Sequence, residues 1–208
     1  PPAALVAALL AIDPKGLGGV WLRARHGPMR DVISNHLEAI PGTHGRVMPE
    51  SGETDLFGGM DLSESLIRGR LIERRGVLSS RDVLWLTRAE RLPVRLAAQI
   101  ARELDAGMSG AIVLCDESAE ADEAPPTVLR DRLAFFLCDK ADCSAEPAFS
   151  EEEIRNAHHR IASVTVDDHH LRLATWIAAE LGCRGSRPAL FVIRAARALA
   201  ALSGGVCV

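Results

Sequence analysis

Apolar and polar positions follow two different periods over the first two thirds of the chain. Short apolar runs bounded by turn residues, typical of buried strands, lie at residues 18–23, 83–86, 111–115 and 133–138. Apolar positions at the spacing of one helix face occur in residues 31–40, 61–67 and 92–104. Strands that alternate with helices predict an α/β fold, with a parallel sheet sandwiched by helices.

Both ends of the chain carry helical patterns. Residues 1–12 are apolar over about half of the ~20 residues that a membrane span requires, and they have no basic flank or cleavage pattern. They predict a buried helix rather than a membrane span. Three amphipathic segments, residues 151–161, 168–181 and 188–202, predict a small helical bundle at the other end. We therefore expect an α/β core over residues 1–140 and a helical lid over residues 141–208.

The loop after the first predicted strand is a candidate site, because an open parallel sheet binds ligands at the carboxyl ends of its strands. Residues 24–31, A-R-H-G-P-M-R-D, have the place and length of a phosphate-binding loop, G-x-x-x-x-G-K-[ST]. However, Ala24 replaces the first glycine, Met29 crowds the backbone, Arg30 replaces the lysine and Asp31 replaces the hydroxyl that binds Mg²⁺. A carboxylate ~4 Å from a phosphate charge costs roughly 4 kcal/mol at an effective dielectric of ~20. The residues alone fit an ordinary strand-to-helix turn equally well.

The loop after the second predicted strand offers no metal ligand. Nucleotide hydrolysis requires an acidic pair there to hold Mg²⁺ and orient water, but V-L-W-L is followed by Thr87 and Arg88. Two sites that must cooperate thus both depart from the pattern of an active ATPase.

Charge and cysteine content narrow the class of protein. The 208 residues include 24 basic and 28 acidic ones, and the net charge of −4 at pH 7 provides no global positive field for nucleic acid or an anionic bilayer. The five cysteines are odd in number and scattered, which fits a reducing cytoplasm better than a disulfide framework. Every basic residue except Lys15 and Lys140 is an arginine, so the identity of one arginine is no sign of function.

Six segments of the chain carry a family resemblance. They read G-G-V-W-L-R-A-R-H-G-P-M-R-D, D-L-F-G-G-M-D-L-S-E-S-L-I-R-G-R-L-I-E-R-R-G-V-L, V-L-W-L-T-R-A-E-R-L-P, A-I-V-L-C-D-E-S, P-P-T-V-L-R-D-R-L-A-F-F-L and S-R-P-A-L-F-V-I-R-A-A-R-A-L-A-A-L. Together they span almost the whole chain. In these segments the chain resembles the N-terminal AAA+ module of the magnesium chelatase D-subunit family. The losses at Met29, Asp31, Thr87 and Arg88 favour this family over its catalytic sibling, the I subunit, whose nucleotide motifs are intact.

The resemblance implies roles for particular residues. Arg132 falls on the family's arginine finger, which reaches into the ATP site of a neighbouring subunit, and it would be the catalytic residue. Arg187 matches the second sensor arginine of the lid, and Arg30 holds the lysine position of the phosphate loop. Asp116 stands where the I subunit has a polar sensor, usually Asn. From spacing alone, Arg132 also fits a surface arginine, and Arg184 and Arg194 are alternatives to Arg187.

The resemblance also implies an activity and partners. The family inserts Mg²⁺ into protoporphyrin IX, the first committed step toward chlorophyll and bacteriochlorophyll. ATP and Mg²⁺ would be used in the assembled complex and bound mainly by the I subunit, an AAA+ ring, and a porphyrin-binding H subunit would be the other partner. The expected location is the cytoplasm, or the plastid stroma in a plant. Neither nucleic acid nor a membrane is an expected partner.

The chain departs from the family pattern in length. It is short at residues 79–82, and at residues 108–109, where the family has a β-hairpin; either these loops are trimmed in this protein, or residues of the natural chain are missing from the sequence at these places. The family also continues into a Pro-rich acidic linker and an integrin-like metal-binding domain.

Three other features have simple interpretations that compete with functional ones. The paired histidines at 158–159 and 169–170, with Cys138 and Cys143, match no compact zinc pattern, so no metal site is predicted. The acidic residues 116–123 are expected to form a solvated loop rather than a Mg²⁺ site. A basic cluster could face water or an acidic partner surface; its members are Arg68, Arg70, Arg74, Arg75 and Arg81.

The sequence thus predicts an ATPase-inactive AAA+ subunit of magnesium chelatase that docks on the I subunit and supplies Arg132 to its active site. Two alternatives remain open. One is a stand-alone AAA+ ATPase in which Arg30 replaces the usual lysine, and the other is a scaffold without a catalytic contribution.

Overall fold

The computed structural model describes residues 2–120, 122–139 and 149–208. The strands are β1 (Gly19–Arg23), β2 (His44–Val47), β3 (Gly58–Met60), β4 (Glu73–Arg75), β5 (Val83–Leu86), β6 (Ala111–Asp116) and β7 (Phe135–Cys138). The helices are α1 (Ala3–Ile12), α2 (Pro14–Leu17), α3 (Pro28–Glu38), α4 (Glu53–Phe57), α5 (Leu62–Arg68), α6 (Val77–Ser80), α7 (Val94–Asp105), α8 (Thr127–Arg130), α9 (Glu151–Arg160), α10 (Asp168–Glu180) and α11 (Arg187–Leu202).

A parallel sheet of order β2-β5-β6-β1-β7 forms the centre of the molecule. Every residue of β5 and β6 is buried, which is typical of parallel strands covered on both faces. In β6, Ala111, Val113 and Cys115 face one hydrophobic core, whereas Ile112 and Leu114 face the other. The four predicted strands and the predicted α/β sandwich are therefore confirmed.

Different helices cover the two faces of the sheet. On one face, α1 and α3 contribute fully buried side chains such as Leu10, Ile33 and Leu37. On the other face, α7 contributes Leu96 and Ile100, which share one side of the helix because they are four residues apart. The buried helix predicted from the first apolar stretch is confirmed as α1. None of the described helices is both long and apolar enough to cross a membrane.

The fifth strand of the sheet, β2, lies in the polar stretch 41–59, for which the sequence predicts no strand. It pairs in parallel with β5 at the edge of the sheet, and its burial pattern leaves only Val47 fully buried. A strand that buries so little leaves almost no hydrophobic signal in the sequence.

Residues 58–75 project from the core as an arm. The antiparallel strands β3 and β4 form its base, and α5, the helix predicted at residues 61–67, lies between them without a buried residue. Large apolar side chains of the arm are at least half exposed to solvent: Met60, Leu62, Leu66, Ile67 and Leu71. Of the basic cluster, Arg68 pairs with Glu64 in the same helix at 2.7 Å.

The two places where the chain is expected to be short, residues 79–82 and 108–109, lie side by side. Ala111 N donates to Asp82 O at 2.9 Å, and the turn at residues 106–108 is closed by the bond from Met108 N to Glu103 O at 3.0 Å. Ser79 and Met108 line the same cavity of about 490 Å³. Both short loops therefore border a single depression next to the base of the arm.

The three helices predicted beyond residue 149 are present as α9, α10 and α11. α11 packs against both α9 and α10, and α1 packs against α9 and α11. Ala157, Ala198 and Ala201 of these helices join the hydrophobic core on the α1 side of the sheet. The predicted boundary between residues 140 and 141 lies outside the described residues, so the division into core and lid stays a prediction.

Candidate functional site

The candidate phosphate loop joins β1 to α3 at the carboxyl end of the sheet. Pro28 occupies the first turn of α3, and Gly27 caps the helix without a side-chain hydrogen bond. Arg30, which replaces the lysine, does not extend into open solvent. Its Nη1 lies 2.5 Å from Glu117 Oε1, and the two side chains are 15% and 33% exposed. The cation that would have to meet a phosphate therefore already has an anionic partner in the same chain.

Further arginines tie the candidate phosphate loop to the loop that follows β6. Arg23 Nη2 donates to Glu120 O at 2.7 Å, and Arg25 Nη2 donates to Ala119 O at 2.9 Å. The backbone N–H of Glu117 donates to Glu90 Oε2 at 3.1 Å, so the position of Glu117 is fixed as well. The basic groups at this end of the sheet are thus used to fix two loops against each other.

Asp116, at the carboxyl end of β6, is the residue predicted to stand at the sensor position. It is only 1% exposed and accepts hydrogen bonds from Trp21 Nε1 at 3.0 Å and from Ser118 N at 3.0 Å, as well as from the Ser118 hydroxyl. Arg23 Nε lies 3.8 Å from the same carboxylate. The buried carboxylate is therefore fully occupied by donors of its own chain, and it holds Trp21 in place.

The loop after β5 has no acidic pair, as the sequence predicts. Thr87 Oγ1 donates to Val47 O at 3.1 Å, and Arg88 forms an ion pair with Glu50 at 2.9 Å. Within the described ranges, no three His, Cys, Asp or Glu side chains are grouped so as to hold a metal ion. Thr87 and Arg88, the side chains that follow β5, are thus both held by groups of this chain and present no carboxylate.

Two of the histidines considered as zinc ligands have other partners. His158 Nδ1 lies 2.8 Å from Ile12 O, and His170 Nδ1 lies 2.7 Å from Asp167 Oδ1. Cys138 is at the end of β7, and Cys143 lies outside the described residues.

A second polar cluster lies at the opposite, amino end of the sheet. Arg132 precedes β7, and its guanidinium is bound to Asp105 through Nε at 3.0 Å and Nη2 at 2.5 Å. Arg187, the first residue of α11, donates from Nη2 to Oδ1 of the same carboxylate at 3.1 Å. One acid, Asp105, thus joins the predicted arginine finger to the predicted sensor arginine. The Arg132 guanidinium holds the pKa of Asp105 below its usual value of 3.8, with a smaller contribution from Arg187.

These residues line a cavity of about 200 Å³ that is rich in positive charge. Lys15 and Arg194 line it together with Arg132 and Arg187, while Asp105 is the acid in its lining. Arg194 Nη1 donates to Gly16 O at 2.6 Å. An excess of basic groups around a cavity favours an anionic ligand.

The backbone places Arg132 by a close approach to the start of β1. Gly18 has φ +71, and a Cβ at this position would collide with the carbonyl oxygen of Arg132. Ala134 N donates to Leu17 O at 3.0 Å beside it. A glycine is therefore required here for both its conformation and its lack of a side chain.

The structure brings together two of the three predicted site residues. Arg132 and Arg187 meet at Asp105, whereas Arg30 lies at the other end of β1, whose five residues extend over roughly 15 Å. Sequence reasoning missed the two acids that hold these arginines, Asp105 and Glu117. Each lies more than 25 residues from the predicted site arginine that it binds, so no local spacing could have indicated the pairing.

Comparison with known proteins supports the resemblance. No family model matches the sequence. The chain is 40% identical over 207 residues to the "Magnesium-chelatase 60 kDa subunit" of Cereibacter sphaeroides, and 33% identical over 202 residues to the protein of the same name from Rhodobacter capsulatus. These matches cover 96% and 95% of this chain but 36% of each relative. The chain thus spans about a third of the length of the relatives that it matches.

Solved structures show the same fold. A protein described as an ATPase from Cytophaga hutchinsonii matches 99% of this chain with a TM-score of 0.67 and 13% identity, and the match covers 79% of that protein. A full-length MCM homologue from Methanopyrus kandleri matches 99% of this chain with a TM-score of 0.70 and 12% identity, over 50% of its own length. The fold is therefore the predicted AAA+ α/β fold. Over the third of their length that it matches, the chain is thus similar to the two curated relatives named "Magnesium-chelatase 60 kDa subunit", in agreement with the resemblance found in the sequence.

Proposed function

We propose that this chain is an ATPase-inactive AAA+ subunit of magnesium chelatase. It docks on the ATP-hydrolysing I subunit and helps to drive the insertion of Mg²⁺ into protoporphyrin IX. The observation that carries the proposal is the contrast between the two ends of the sheet. At the carboxyl end Arg30 is neutralised by Glu117, whereas at the amino end Arg132 and Arg187 lie together in a cavity with a surplus of positive charge.

The contacts at the carboxyl end support the lack of ATPase activity. A phosphate that binds Arg30 through Nη1 has to displace Glu117, and a charge-assisted hydrogen bond of this kind contributes about 2 kcal/mol. Since 1.4 kcal/mol corresponds to a factor of ten in affinity, this competition alone weakens binding roughly thirtyfold. Asp31 adds repulsion in the first turn of α3, and Thr87 and Arg88 provide no ligand for Mg²⁺.

The position of Arg132 supports action on a neighbouring subunit. Because it lies roughly 15 Å from its own phosphate loop, Arg132 cannot reach a nucleotide bound there. A guanidinium at a subunit boundary can instead offset the charge that develops on the γ-phosphate of a neighbour, an effect of roughly 10³ to 10⁵ in rate in other nucleotide hydrolases. Arg187 shares the carboxylate of Asp105, so it would approach the same phosphate as Arg132.

The remaining parts of the proposal follow from the family. ATP and Mg²⁺ would be bound in the assembled complex by the I subunit, and the porphyrin would be held by the H subunit. In this arrangement the present chain contributes charge and docking surface but no nucleotide chemistry of its own. The location proposed for the complex is the cytoplasm, or the plastid stroma in a plant.

The test is to mix this chain with the I subunit and to measure ATP turnover for the wild type and for Arg132→Ala. The expected result is a large fall in the stimulated rate with Arg132→Ala. Arg95→Ala is a matched control, because Arg95 also forms an ion pair, with Glu53 at 3.0 Å, but lies on the exposed surface of α7. An unchanged rate with Arg132→Ala would contradict the proposed role, and binding without any effect on turnover would favour a scaffold.

Activity of the chain alone separates the proposal from a stand-alone ATPase. In that alternative Arg30 performs the task of lysine, and the purified chain hydrolyses ATP without a partner. Under our proposal the chain alone shows no turnover above the background of Arg30→Ala.

A further inference from the structure

We propose that Asp105 is a positioning residue, which holds the Arg132 and Arg187 guanidiniums as a pair and presents them to the phosphate of a neighbouring subunit. This inference rests on the proposed function, because it concerns how the same cluster acts on the partner. The argument starts from the hydrogen bonds of Arg132.

Arg132 is held on two sides and left open on the third. A guanidinium has five N–H donors. Arg132 uses its Nε and one N–H of Nη2 for Asp105, and one N–H of Nη1 for Val128 O at 2.7 Å. One N–H then remains on each terminal nitrogen, and these two together can bind a phosphate in the bidentate manner that arginine favours. Asp105 and Val128 thus fix the guanidinium without consuming the edge that a phosphate needs.

Asp105 also brings a second positive charge to the same place. Its Oδ1 accepts from both Arg132 Nε at 3.0 Å and Arg187 Nη2 at 3.1 Å. Two guanidiniums repel each other, so without a shared anion they would separate, and Arg187, which is 47% exposed, is free to turn into solvent. The shared carboxylate therefore determines the spacing of the pair.

Neither burial in the core nor the helix dipole explains an acid at this position. Asp105 is the last residue of α7, where the negative end of the helix dipole disfavours a carboxylate. Its side chain is 46% exposed, so it fills no part of the hydrophobic core. Its contacts with Arg132 and Arg187 are the interactions that favour the acid.

The experiment measures kcat and KM for ATP turnover by the I subunit in the presence of the wild-type chain, Asp105→Asn or Asp105→Glu. We expect Asp105→Asn to lower kcat on the order of tenfold, because a misplacement of about 1 Å in a group that acts on the transition state can cost up to a hundredfold. KM and the affinity of the two subunits should stay within about twofold, since the charges that meet ground-state ATP remain. Asp105→Glu, which keeps the carboxylate, should recover part of kcat.

A double-mutant cycle and a matched control separate positioning from a general structural effect. In the Arg132→Ala background, Asp105→Asn should have a smaller effect than in the wild type, and where both Arg132 and Arg187 are replaced by alanine it should have none, because Asp105 acts through these two arginines. Glu103→Gln is the control: Glu103 lies on the same helix and forms an ion pair with Arg102 at 3.1 Å, so it loses a comparable exposed contact. Circular dichroism of each variant verifies that α7 is intact.

The outcomes are distinguishable. If Arg132→Ala lowers turnover and Asp105→Asn does not, the positioning role of Asp105 is overturned while the proposed function stands. If Asp105→Asn lowers turnover equally in the presence and absence of Arg132, its effect is structural and the inference is wrong. If Arg132→Ala has no effect, both the proposed function and the inference fall.

Discussion

Replacement of Asp116 by asparagine should destabilise this protein. The carboxylate is buried and acts only as an acceptor, for Trp21 Nε1 on one oxygen and for the backbone and hydroxyl of Ser118 on the other. An amide has one accepting oxygen and one donating nitrogen. The Ser118 hydroxyl can rotate to accept a hydrogen bond, but neither the indole N–H nor the backbone N–H can.

The size of the effect follows from this conflict. In either orientation of the amide, one N–H donor faces another, and a hydrogen bond to a charged acceptor, which contributes about 1.5–3 kcal/mol, is lost. We therefore expect Asp116→Asn to lower the free energy of unfolding by about 2 kcal/mol. For a chain of this size, 1 kcal/mol corresponds to a shift in Tm of about 2–4 °C, so the expected fall in Tm is about 4–8 °C.

Urea unfolding and thermal melts of the wild type and Asp116→Asn provide the measurement. Asp131→Asn, which removes the same charge from an exposed position, is the control and should leave Tm nearly unchanged. Trp21→Phe removes one of the competing donors, so the double variant should lose less stability than the sum of the single variants. An Asp116→Asn variant that melts with the wild type would refute the reasoning.

Three further predictions concern the backbone, the pH dependence and the cysteines. Gly18→Ala should cost about 1–3 kcal/mol in urea unfolding, because an alanine at this positive φ also collides with the Arg132 carbonyl. Arg132 lowers the pKa of Asp105, so the stability that this acid contributes is present above pH 3.8 and is lost as the pH falls through the lowered pKa. The difference in unfolding free energy between the wild type and Asp105→Asn should therefore shrink below pH 3.8. Burial raises the pKa of the Cys115 thiol to about 11, so iodoacetamide followed by mass spectrometry should label exposed Cys183 in the native state and Cys115 only after unfolding.

The strands that the sequence predicted and the strand that it missed differ in burial. β5 and β6 are covered on both faces, so V-L-W-L and A-I-V-L-C stand out as continuous apolar runs. β2 reads H-G-R-V and buries one residue fully, and its place in the sheet is determined by pairing with β5. A local pattern of apolar residues indicates which side chains are buried. It cannot indicate a strand such as β2, which is held in the sheet mainly by pairing of its backbone with β5.

The candidate site shows the same division between local and long-range information. The loss of lysine at Arg30 and of an acidic pair at Thr87 can be read directly from the sequence. The residues that bind the site arginines cannot be read from the sequence in this way. Glu117 lies 87 residues from Arg30, and Asp105 lies 82 residues from Arg187. Arg132 was found through the family resemblance, since arginine is common along the chain and Arg130 lies only two residues away.

The packing of the first helix has a practical consequence for handling the protein. α1 contains no charged residue, and it packs against α3, α9 and α11. A shortened polypeptide that ends at residue 139 would leave an apolar strip of α1 open to water, a surface that promotes aggregation. Any piece chosen for expression should therefore retain α1 together with α9 and α11, even when only the parallel sheet is of interest.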